Sequence, residues 1–265
     1  MRVLPAPVYI ISDAHLGFAT RDAERSLISF LRHLTGRAGT VLINGDLFEF
    51  WFEWRRVMPR AAFRVLAALA DLRDAGVNVV MIAGNHDCWG GEILRDDVGI
   101  AYQLEPFEGQ LAGWRARVDH GDGLRPDEDR RYRLLRMVLR NPLAVALFRW
   151  LHPDFGSWLA SGSSHTSRTY QARDGGAGLR RVAERELAAR PALQLLVYGH
   201  SHVAALERIG TGVFANAGAW MEGSTFLRVT PERVELCRWI ADASLVVSSI
   251  DRPAQLPADA QSEVR

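Results

Sequence analysis

Histidine, aspartate and asparagine recur in short clusters, each directly after a run of apolar residues. The clusters are Ser12-Asp13-Ala14-His15, Asn44-Gly45-Asp46, Gly84-Asn85-His86-Asp87, Asp119-His120-Gly121-Asp122 and Gly199-His200-Ser201-His202. Five of the eight histidines lie in them. Taken singly, each cluster is better explained as a turn or a helix cap. Their repetition favours one shared site, because converging carboxylates and imidazoles are poorly solvated without a cation.

The donor types in these clusters indicate the class of metal. Nitrogen and oxygen donors without a thiolate suit divalent Mn, Fe, Zn or Co, and argue against a structural zinc site built from cysteine. The candidate ligands are Asp13, His15, Asp46, Asn85, His120, His200 and His202. Seven donors suit two ions that share one carboxylate, an arrangement that promotes in-line attack of water at phosphorus. We therefore expect two divalent ions, with manganese as the first choice.

Strand and helix patterns alternate ahead of the clusters. Apolar runs of strand length cover residues 8–12, 41–43, 77–82, 116–119 and 193–198. Helical spacing of apolar residues covers 27–34 and 63–73, and Gly76 is a plausible helix stop. Short strands are expected at 213–215, 225–229 and 234–240. This order predicts an α/β fold with parallel strands, whose carboxyl ends bring the polar clusters to one edge.

The five clusters, in this order over residues 13–202, resemble the signature of the calcineurin-like metallophosphoesterase superfamily. The resemblance implies a four-layer α/β/β/α sandwich and a metal-dependent hydrolase of phosphoric esters or diphosphates. It also implies two ligand sets, which are Asp13, His15 and His202 for one ion and Asn85, His120 and His200 for the other, with Asp46 bridging them. His86 would face the phosphate, stabilising the transition state or protonating the leaving group. Asp87 would orient His86.

Within this superfamily, three segments resemble the UDP-2,3-diacylglucosamine diphosphatases of the lipid A pathway. They are Gly45-Asp46-Leu47-Phe48-Glu49-Phe50-Trp51, Asp127-Glu128-Asp129-Arg130-Arg131-Tyr132-Arg133 and Gly212-Val213-Phe214-Ala215-Asn216-Ala217-Gly218-Ala219-Trp220. This resemblance implies cleavage of UDP-2,3-diacylglucosamine into 2,3-diacylglucosamine 1-phosphate and UMP. One residue departs from the pattern, because that family usually has Arg where this chain has His86. A phosphoesterase of the same superfamily acting on a nucleotide or another phosphoester therefore stays open. A non-catalytic scaffold ranks last, since all seven donors are present.

The 79 residues between His120 and His200 include a mostly helical stretch, which predicts an inserted cap over residues 123–190. Within 130–140, arginines lie on one side of the helix and leucine and valine on the other. Taken alone, this pattern favours a surface helix packed on the core. The large apolar residues at 143–159 indicate either a small second core or a groove for acyl chains, and the resemblance favours the groove. Candidate substrate-binding residues are Asp127, Tyr132, Arg133, Arg136 and Arg168.

Composition excludes several classes of protein. The chain has 265 residues, 32 basic and 31 acidic, and every basic residue is arginine. A net charge of +1 argues against a nucleic-acid-coating polycation, although residues 123–190 hold 13 arginines against 7 acids, which would suit an anionic glycolipid or nucleotide-diphosphate substrate. Two cysteines and the absence of signal-peptide and spanning patterns predict a cytoplasmic protein, with peripheral contact to the inner membrane open. No obligate protein partner is evident. We expect a catalytic domain over 1–250 and a flexible tail over 251–265.

Overall fold

Two β-sheets lie face to face, and helices cover their outer faces. The computed structural model describes residues 1–125, 128–158 and 174–252. The seven-stranded sheet has the order β13-β12-β11-β2-β3-β4-β5, with β2 to β5 parallel. The six-stranded sheet has the order β1-β6-β7-β8-β10-β9. This arrangement confirms the predicted four-layer α/β/β/α sandwich.

The strands of the seven-stranded sheet are buried at its centre and exposed at one edge. They are β2 (Val8–Ile11), β3 (Thr40–Asn44), β4 (Asn78–Ile82), β5 (Ala101–Gln103), β11 (Thr225–Val229), β12 (Arg233–Ile240) and β13 (Ala243–Asp251). All five residues of β3 are buried, because its alternate side chains serve two cores. Val41 and Ile43 pack against the helical layer, whereas Leu42 packs between the sheets.

The strands of the six-stranded sheet are β1 (Arg2–Leu4), β6 (Phe107–Leu111), β7 (Trp114–Val118), β8 (Leu195–Tyr198), β9 (Ala205–Ile209) and β10 (Gly212–Asn216). Trp114, Leu195 and Val197 bury their side chains against the first sheet. The parallel strands β7, β8 and β10 lie at the centre. Both sheets therefore contribute parallel strands whose carboxyl ends point the polar clusters towards each other.

Helices form the two outer layers. They are α1 (Arg21–His33) and α2 (Phe63–Asp74), with a short 3₁₀ turn (Arg60–Ala62) and a π-turn (Ile93–Asp97), over the first sheet, and α6 (Ala177–Ala189) over the second. Thr20 caps α1 by accepting a hydrogen bond from the Ala23 N–H. A short helix, α7 (Trp220–Gly223), buries the Trp220 ring against Phe30 of α1. No helix in the described ranges is long and apolar enough to span a bilayer.

The inserted segment contains α3 (Arg130–Leu139), α4 (Pro142–Phe148) and α5 (residues 153–158). The apolar face of α3 points to solvent, with Leu134 60% and Val138 60% exposed. The expectation that this face packs on the core is therefore wrong. The arginine face turns inward instead, because Arg136 pairs with Asp122 of the catalytic domain.

The Phe148 ring of the insertion does pack inward. Phe148 lies 4.8 Å from Phe52 and 5.4 Å from Trp89, measured between ring centroids. The indole N–H groups of Trp54 and Trp89 donate to the carbonyls of Leu151 and Leu139. The insertion is therefore anchored by one aromatic cluster, while most of its other large apolar side chains stay exposed.

Two of the expected boundaries need adjustment. Helix α6 lies inside the predicted cap of 123–190, but Leu179, Ala183 and Leu187 bury it against the six-stranded sheet, so it is a layer of the sandwich. Asp251 is the last residue of β13 and still pairs with Arg233 of β12. The Arg252 guanidinium donates a hydrogen bond to the Gly113 carbonyl. These two residues are therefore not part of a flexible tail, and the rest of that predicted tail lies outside the described residues.

Candidate metal centre

The five polar clusters meet at one edge of the sandwich. Three follow β2, β3 and β4 of the seven-stranded sheet, and two follow β7 and β8 of the six-stranded sheet. The sheets are joined there by the Asn44 side chain, which donates to the Asp119 carbonyl. The structure therefore brings together all of the clusters that the sequence singled out.

One group of possible ligands consists of Asp13, His15 and His202. The Nε2 atoms of the two histidines lie 3.2 Å apart, and His202 Nε2 is 3.4 Å from Asp13 Oδ1. Asp13 and His15 are almost completely buried. A pair of facing imidazole nitrogens beside a carboxylate oxygen is the donor geometry that a divalent cation would hold together.

A second group consists of Asp46, His120 and His200. His120 Nε2 lies 3.2 Å from Asp46 Oδ2, and the His120 and His200 rings are 5.3 Å apart between centroids. The same Asp46 oxygen lies 3.9 Å from His15 Nε2 of the first group. Asp46 Oδ2 therefore stands between the two groups, where a bridging ligand belongs.

Three of the histidine rings are held on the side that faces away from the centre. Three ring Nδ1 atoms have oxygen partners: that of His15 lies 3.0 Å from Glu49 Oε2, that of His120 lies 2.8 Å from the Asn44 carbonyl, and that of His202 lies 3.4 Å from Glu222 Oε1. Each Nε2 is thereby left to face the centre. The sequence did not indicate the roles of Glu49, Asn44 and Glu222, although Glu49 lies only three residues after Asp46.

The backbone of the centre is held in an unusual conformation. Five of the candidate ligands have positive φ: Asp13 (53°), His15 (45°), Asp46 (52°), His200 (61°) and His202 (61°). The left-handed region costs a residue other than glycine of the order of 1 kcal/mol. Close packing needs glycine nearby, because a Cβ on Gly84 would lie 2.1 Å from Asp46 Oδ1. The concentration of strain at one place marks a functional site.

Buried nitrogen and oxygen atoms that lack a hydrogen-bond partner indicate whether the residues of the centre suit metal ions. Among the described residues, Asp13 Oδ1, Asn85 Oδ1 and His120 Nε2 are buried and lack a hydrogen-bond partner. All three are atoms of predicted metal ligands. Because unpaired buried polar atoms are rare, these residues fit two divalent cations well.

Comparison with known proteins agrees with this geometry. A family model for calcineurin-like phosphoesterases matches residues 6–204. The chain belongs to that family. It is 31% identical to the UDP-2,3-diacylglucosamine hydrolase of Porphyromonas gingivalis, over 74% of this chain and 83% of that protein. It is 27% identical to the protein of the same name from Yersinia pestis bv. Antiqua, over 85% of this chain and 96% of that protein. The chain is thus a metal-dependent hydrolase.

Burial and neighbouring charges shift the pKa values of the groups at the phosphoesterase centre in different directions. Burial opposes ionisation of Asp46, but the neighbouring His120 and His86 outweigh it and hold the pKa of Asp46 well below its usual range. Burial opposes protonation of His120, yet the Asp46 carboxylate raises the pKa of His120 well above its usual value. Burial and the charge of His120 lower the pKa of His200 to about 4, so the His200 ring is neutral near pH 7.

His86 and Asp87 do not contact each other in the expected way. The His86 ring is held by its Nδ1, 2.8 Å from the Glu49 carbonyl, and its buried Nε2 lacks a described partner. The Asp87 carboxylate instead accepts hydrogen bonds from the Gly84 and Leu47 N–H groups. Burial and the nearby Asp46 charge raise the pKa of Asp87 to about 7. Asp87 therefore ties the second cluster to the third and positions the backbone.

Three predicted substrate-binding residues lie beside the loop of the fourth cluster. The Tyr132 hydroxyl donates to Asp122 Oδ2 at 2.6 Å, and Arg136 donates to the Asp122 carbonyl. Arg133 donates to the carbonyls of Gly123 and Arg125. These contacts place the arginine face of α3 next to the metal centre. Asp127 and Arg168 lie outside the described residues.

Proposed function

We propose that this phosphoesterase hydrolyses the diphosphate of UDP-2,3-diacylglucosamine, giving 2,3-diacylglucosamine 1-phosphate and UMP. The observation that carries the proposal is the similarity, over most of the chain, to hydrolases named for that substrate. The complete set of predicted ligands at one edge supports it, because a hydrolase needs the intact centre.

The residues of the centre would divide the work. Asp13, His15 and His202 would hold one ion, Asn85, His120 and His200 the other, and Asp46 would bridge them. Two divalent ions, when bound, supply Lewis acidity that lowers the pKa of water and neutralises charge on phosphate oxygens. The protein itself would orient the histidine rings that ligate the ions, because Glu49, Glu222 and the Asn44 carbonyl contact their Nδ1 atoms.

His86 is the proposed group for the reacting phosphate. Its ring is fixed through Nδ1, and its Nε2 lies 4.0 Å from the oxygen of Asp46 that faces both ligand groups. A protonated imidazole there would stabilise charge developing in the transition state or protonate the leaving group. We propose this role in place of the arginine of the related family.

The direct test is hydrolysis of the lipid by the manganese-loaded enzyme, with ³¹P NMR in ¹⁸O-labelled water to locate the attacked phosphorus. We expect ¹⁸O in one product phosphate only, and we expect Asp46→Ala and His120→Ala to abolish turnover while the far-ultraviolet spectrum is unchanged. Arg238→Ala, on the exposed side of β12, is the matched control. Turnover retained in Asp46→Ala would contradict the proposal.

A second candidate is a phosphodiesterase or phosphatase acting on a nucleotide, and His86 is the observation that favours it. A substrate panel with Mn²⁺ separates the two. Rapid cleavage of cyclic nucleotides or nitrophenyl phosphoesters, with no cleavage of the lipid, would establish the second candidate and reject the first.

The insertion is the proposed place for the lipid part of the substrate. Its exposed apolar side chains include Leu143, Leu147 and Trp150, the last 90% exposed. Acyl chains or the surface of the inner membrane would cover such side chains. Tyr132, Arg133 and Arg136 lie between these helices and the metal centre, and we propose that they meet the polar headgroup.

A further inference from the structure

A second cleft, separate from the metal ligands, opens between the catalytic domain and the insertion. Its volume is about 690 Å³, and its walls come from residues 53–56 and 88–95, from Leu104, and from Arg140, Val145 and Arg149 of the insertion. None of the seven predicted metal ligands lines it. Its size falls in the range of roughly 300–1,000 Å³ typical of sites for small molecules.

Five arginines line this arginine cleft, namely Arg55, Arg56, Arg95, Arg140 and Arg149. The acidic residues of its wall are Glu53 and Glu92. The Glu53 carboxylate is occupied elsewhere, because it accepts hydrogen bonds from the N–H groups of Gly91, Ile93 and Leu94. The cleft therefore carries a net positive charge that its own carboxylates do not balance.

Several arginines elsewhere in the described residues form ion pairs. Arg117, Arg125 and Arg190, for example, each form ion pairs at 3.1 Å or less. In contrast, none of the five cleft guanidinium groups forms an ion pair within the part of the chain that the structure describes. The Arg95 guanidinium lies over the Tyr102 ring, 5.2 Å from the ring centre, which is a contact with an aromatic face and not with a carboxylate. Like charges gathered in one concavity repel, and a bound anion would relieve this repulsion.

Arg140 gives the strongest indication of a ligand. It is half-buried at the end of α3, and its Nε atom is buried without a described hydrogen-bond partner. A guanidinium group binds phosphate oxygens through two parallel N–H donors, which would satisfy this atom. The Trp54 and Trp89 side chains in the same wall offer an apolar surface beside the charges.

We propose that the arginine cleft is a binding site for a phosphate-bearing anion, distinct from the metal centre. Both inorganic phosphate and the phosphate of a nucleotide have this chemistry. The shared requirement is a compact group with two or more oxygen acceptors that several guanidinium groups reach together.

Chemical protection tests the proposal residue by residue. The manganese-loaded protein is treated with phenylglyoxal, which modifies arginine, with and without inorganic phosphate or UMP, and modified peptides are quantified by mass spectrometry. We expect modification of Arg95 and Arg149 to slow by about fivefold or more, because bound anions occupy the guanidinium donors. Arg21 and Arg238, which are exposed elsewhere, serve as internal controls and should react at unchanged rates. Protection at lower concentrations of UMP than of phosphate would assign the site to a nucleotide, and equal protection would assign it to the free anion.

Two further measurements can overturn the site. The protection should persist after the metal is removed with EDTA, and its loss would assign the anion to the metal centre instead. Arg140→Gln should raise the phosphate concentration that half-protects Arg95 by about tenfold, because one charge-assisted contact is removed. Arg238→Gln should have no effect, and Arg149→Gln, at an exposed position, replaces Arg140→Gln if that variant does not fold. Unchanged modification rates, or unchanged protection in both cleft variants, would refute the proposal.

Discussion

The Nε2 atoms of His15, His120 and His202 face the metal centre because an oxygen atom holds the opposite side of each ring. The Glu49 carboxylate holds the His15 ring, with its Oε2 atom 3.0 Å from Nδ1. A carboxylate in this position fixes the tautomer and makes the free nitrogen a better ligand. Asp13 is held in a similar way, since the Ser12 hydroxyl and the His200 N–H bond its Oδ2 and leave Oδ1 free.

Glu49→Ala should therefore weaken metal binding without removing a ligand. We expect the dissociation constant for Mn²⁺, measured by calorimetric titration, to rise by about 10- to 100-fold. Glu49→Gln keeps a hydrogen-bond acceptor and should show a smaller effect. Glu24→Ala on α1 is the control and should bind as wild type. Equal affinity of Glu49→Ala and wild type would show that Glu49 does not support His15.

The residues of the centre were largely predictable, whereas the contacts that orient them were not. All seven predicted ligands stand in short clusters after apolar runs, and the structure brings these clusters to one edge of the sandwich. Glu222 meets His202 only because α7 and the fifth cluster come together in three dimensions. The positive φ of His15 and His202 likewise reflects tertiary contacts, because residues other than glycine adopt that conformation uncommonly.

At the scale of elements, periodicity predicted the helices better than it predicted their orientation. The pattern of α3 is amphipathic as expected, but its polar face turns inward to meet Asp122. A periodic pattern shows that two faces differ, and only the neighbours decide which face is covered. Strand β13 was missed for a related reason, since all but one of its residues are exposed and no buried face marks it.

Phe148 should anchor the insertion to the catalytic domain. Phe148→Ala removes the ring that packs against Phe52 and Trp89, which we expect to cost about 2 kcal/mol of docking free energy, roughly half the cost at a fully buried site. Hydrogen exchange followed by mass spectrometry should show faster exchange in α3 and α4 and unchanged exchange in β3. Leu147→Ala, at the neighbouring 63% exposed position, is the matched control. Equal exchange in both variants would contradict the anchor.

Asp174 should make the docking of α6 sensitive to pH. Its carboxylate accepts from the N–H groups of Gly176 and Gly178, and Arg125 lies 3.6 Å away. Burial opposes ionisation, but these contacts outweigh it and lower the pKa of Asp174. Because the folded pKa lies below the unfolded value of about 3.9, the stabilisation is present above that pH and is lost as the pH falls.

Two substitutions separate the charge of Asp174 from its hydrogen bonds. Asp174→Asn should lower the melting temperature at pH 7, and the difference from wild type should shrink as the pH falls below the unfolded pKa of about 3.9. Asp174→Ala should cost about 1 kcal/mol at pH 7 through the lost cap. Asp154→Asn, whose side chain is 95% exposed, controls for net charge. A pH-independent difference between wild type and Asp174→Asn would exclude a role for the charge.

At the scale of the whole molecule, charge is divided between two regions. The insertion is rich in arginine, the metal centre gathers buried carboxylates, and the arginine cleft opens between the insertion and the catalytic domain. The fold positions both, because the carboxyl ends of parallel strands in two sheets face the inserted helices. A near-zero net charge therefore conceals a cationic surface beside the site that would receive an anionic substrate.

Metal removal should destabilise the entire sandwich, because the centre joins both sheets. Without cations, the buried Asp13 and Asp46 carboxylates depend on the neighbouring histidines for compensation, and five residues keep their positive φ. Manganese at 100 times its dissociation constant should stabilise the folded state by about 2.7 kcal/mol. For a protein of this size, that corresponds to a rise in melting temperature of about 5–10 °C relative to protein in EDTA.

The dependence of this shift on concentration and pH identifies its origin. The melting temperature should rise with the logarithm of Mn²⁺ concentration, and the shift should shrink below about pH 6, because protonated histidines no longer bind the ion. Asp46→Asn should lose most of the shift, as the bridging charge is removed, whereas Asp154→Asn should keep it. A shift of the same size in Asp46→Asn would mean that the ions stabilise the protein from another site, and the strained backbone at the strand ends would then need a different explanation.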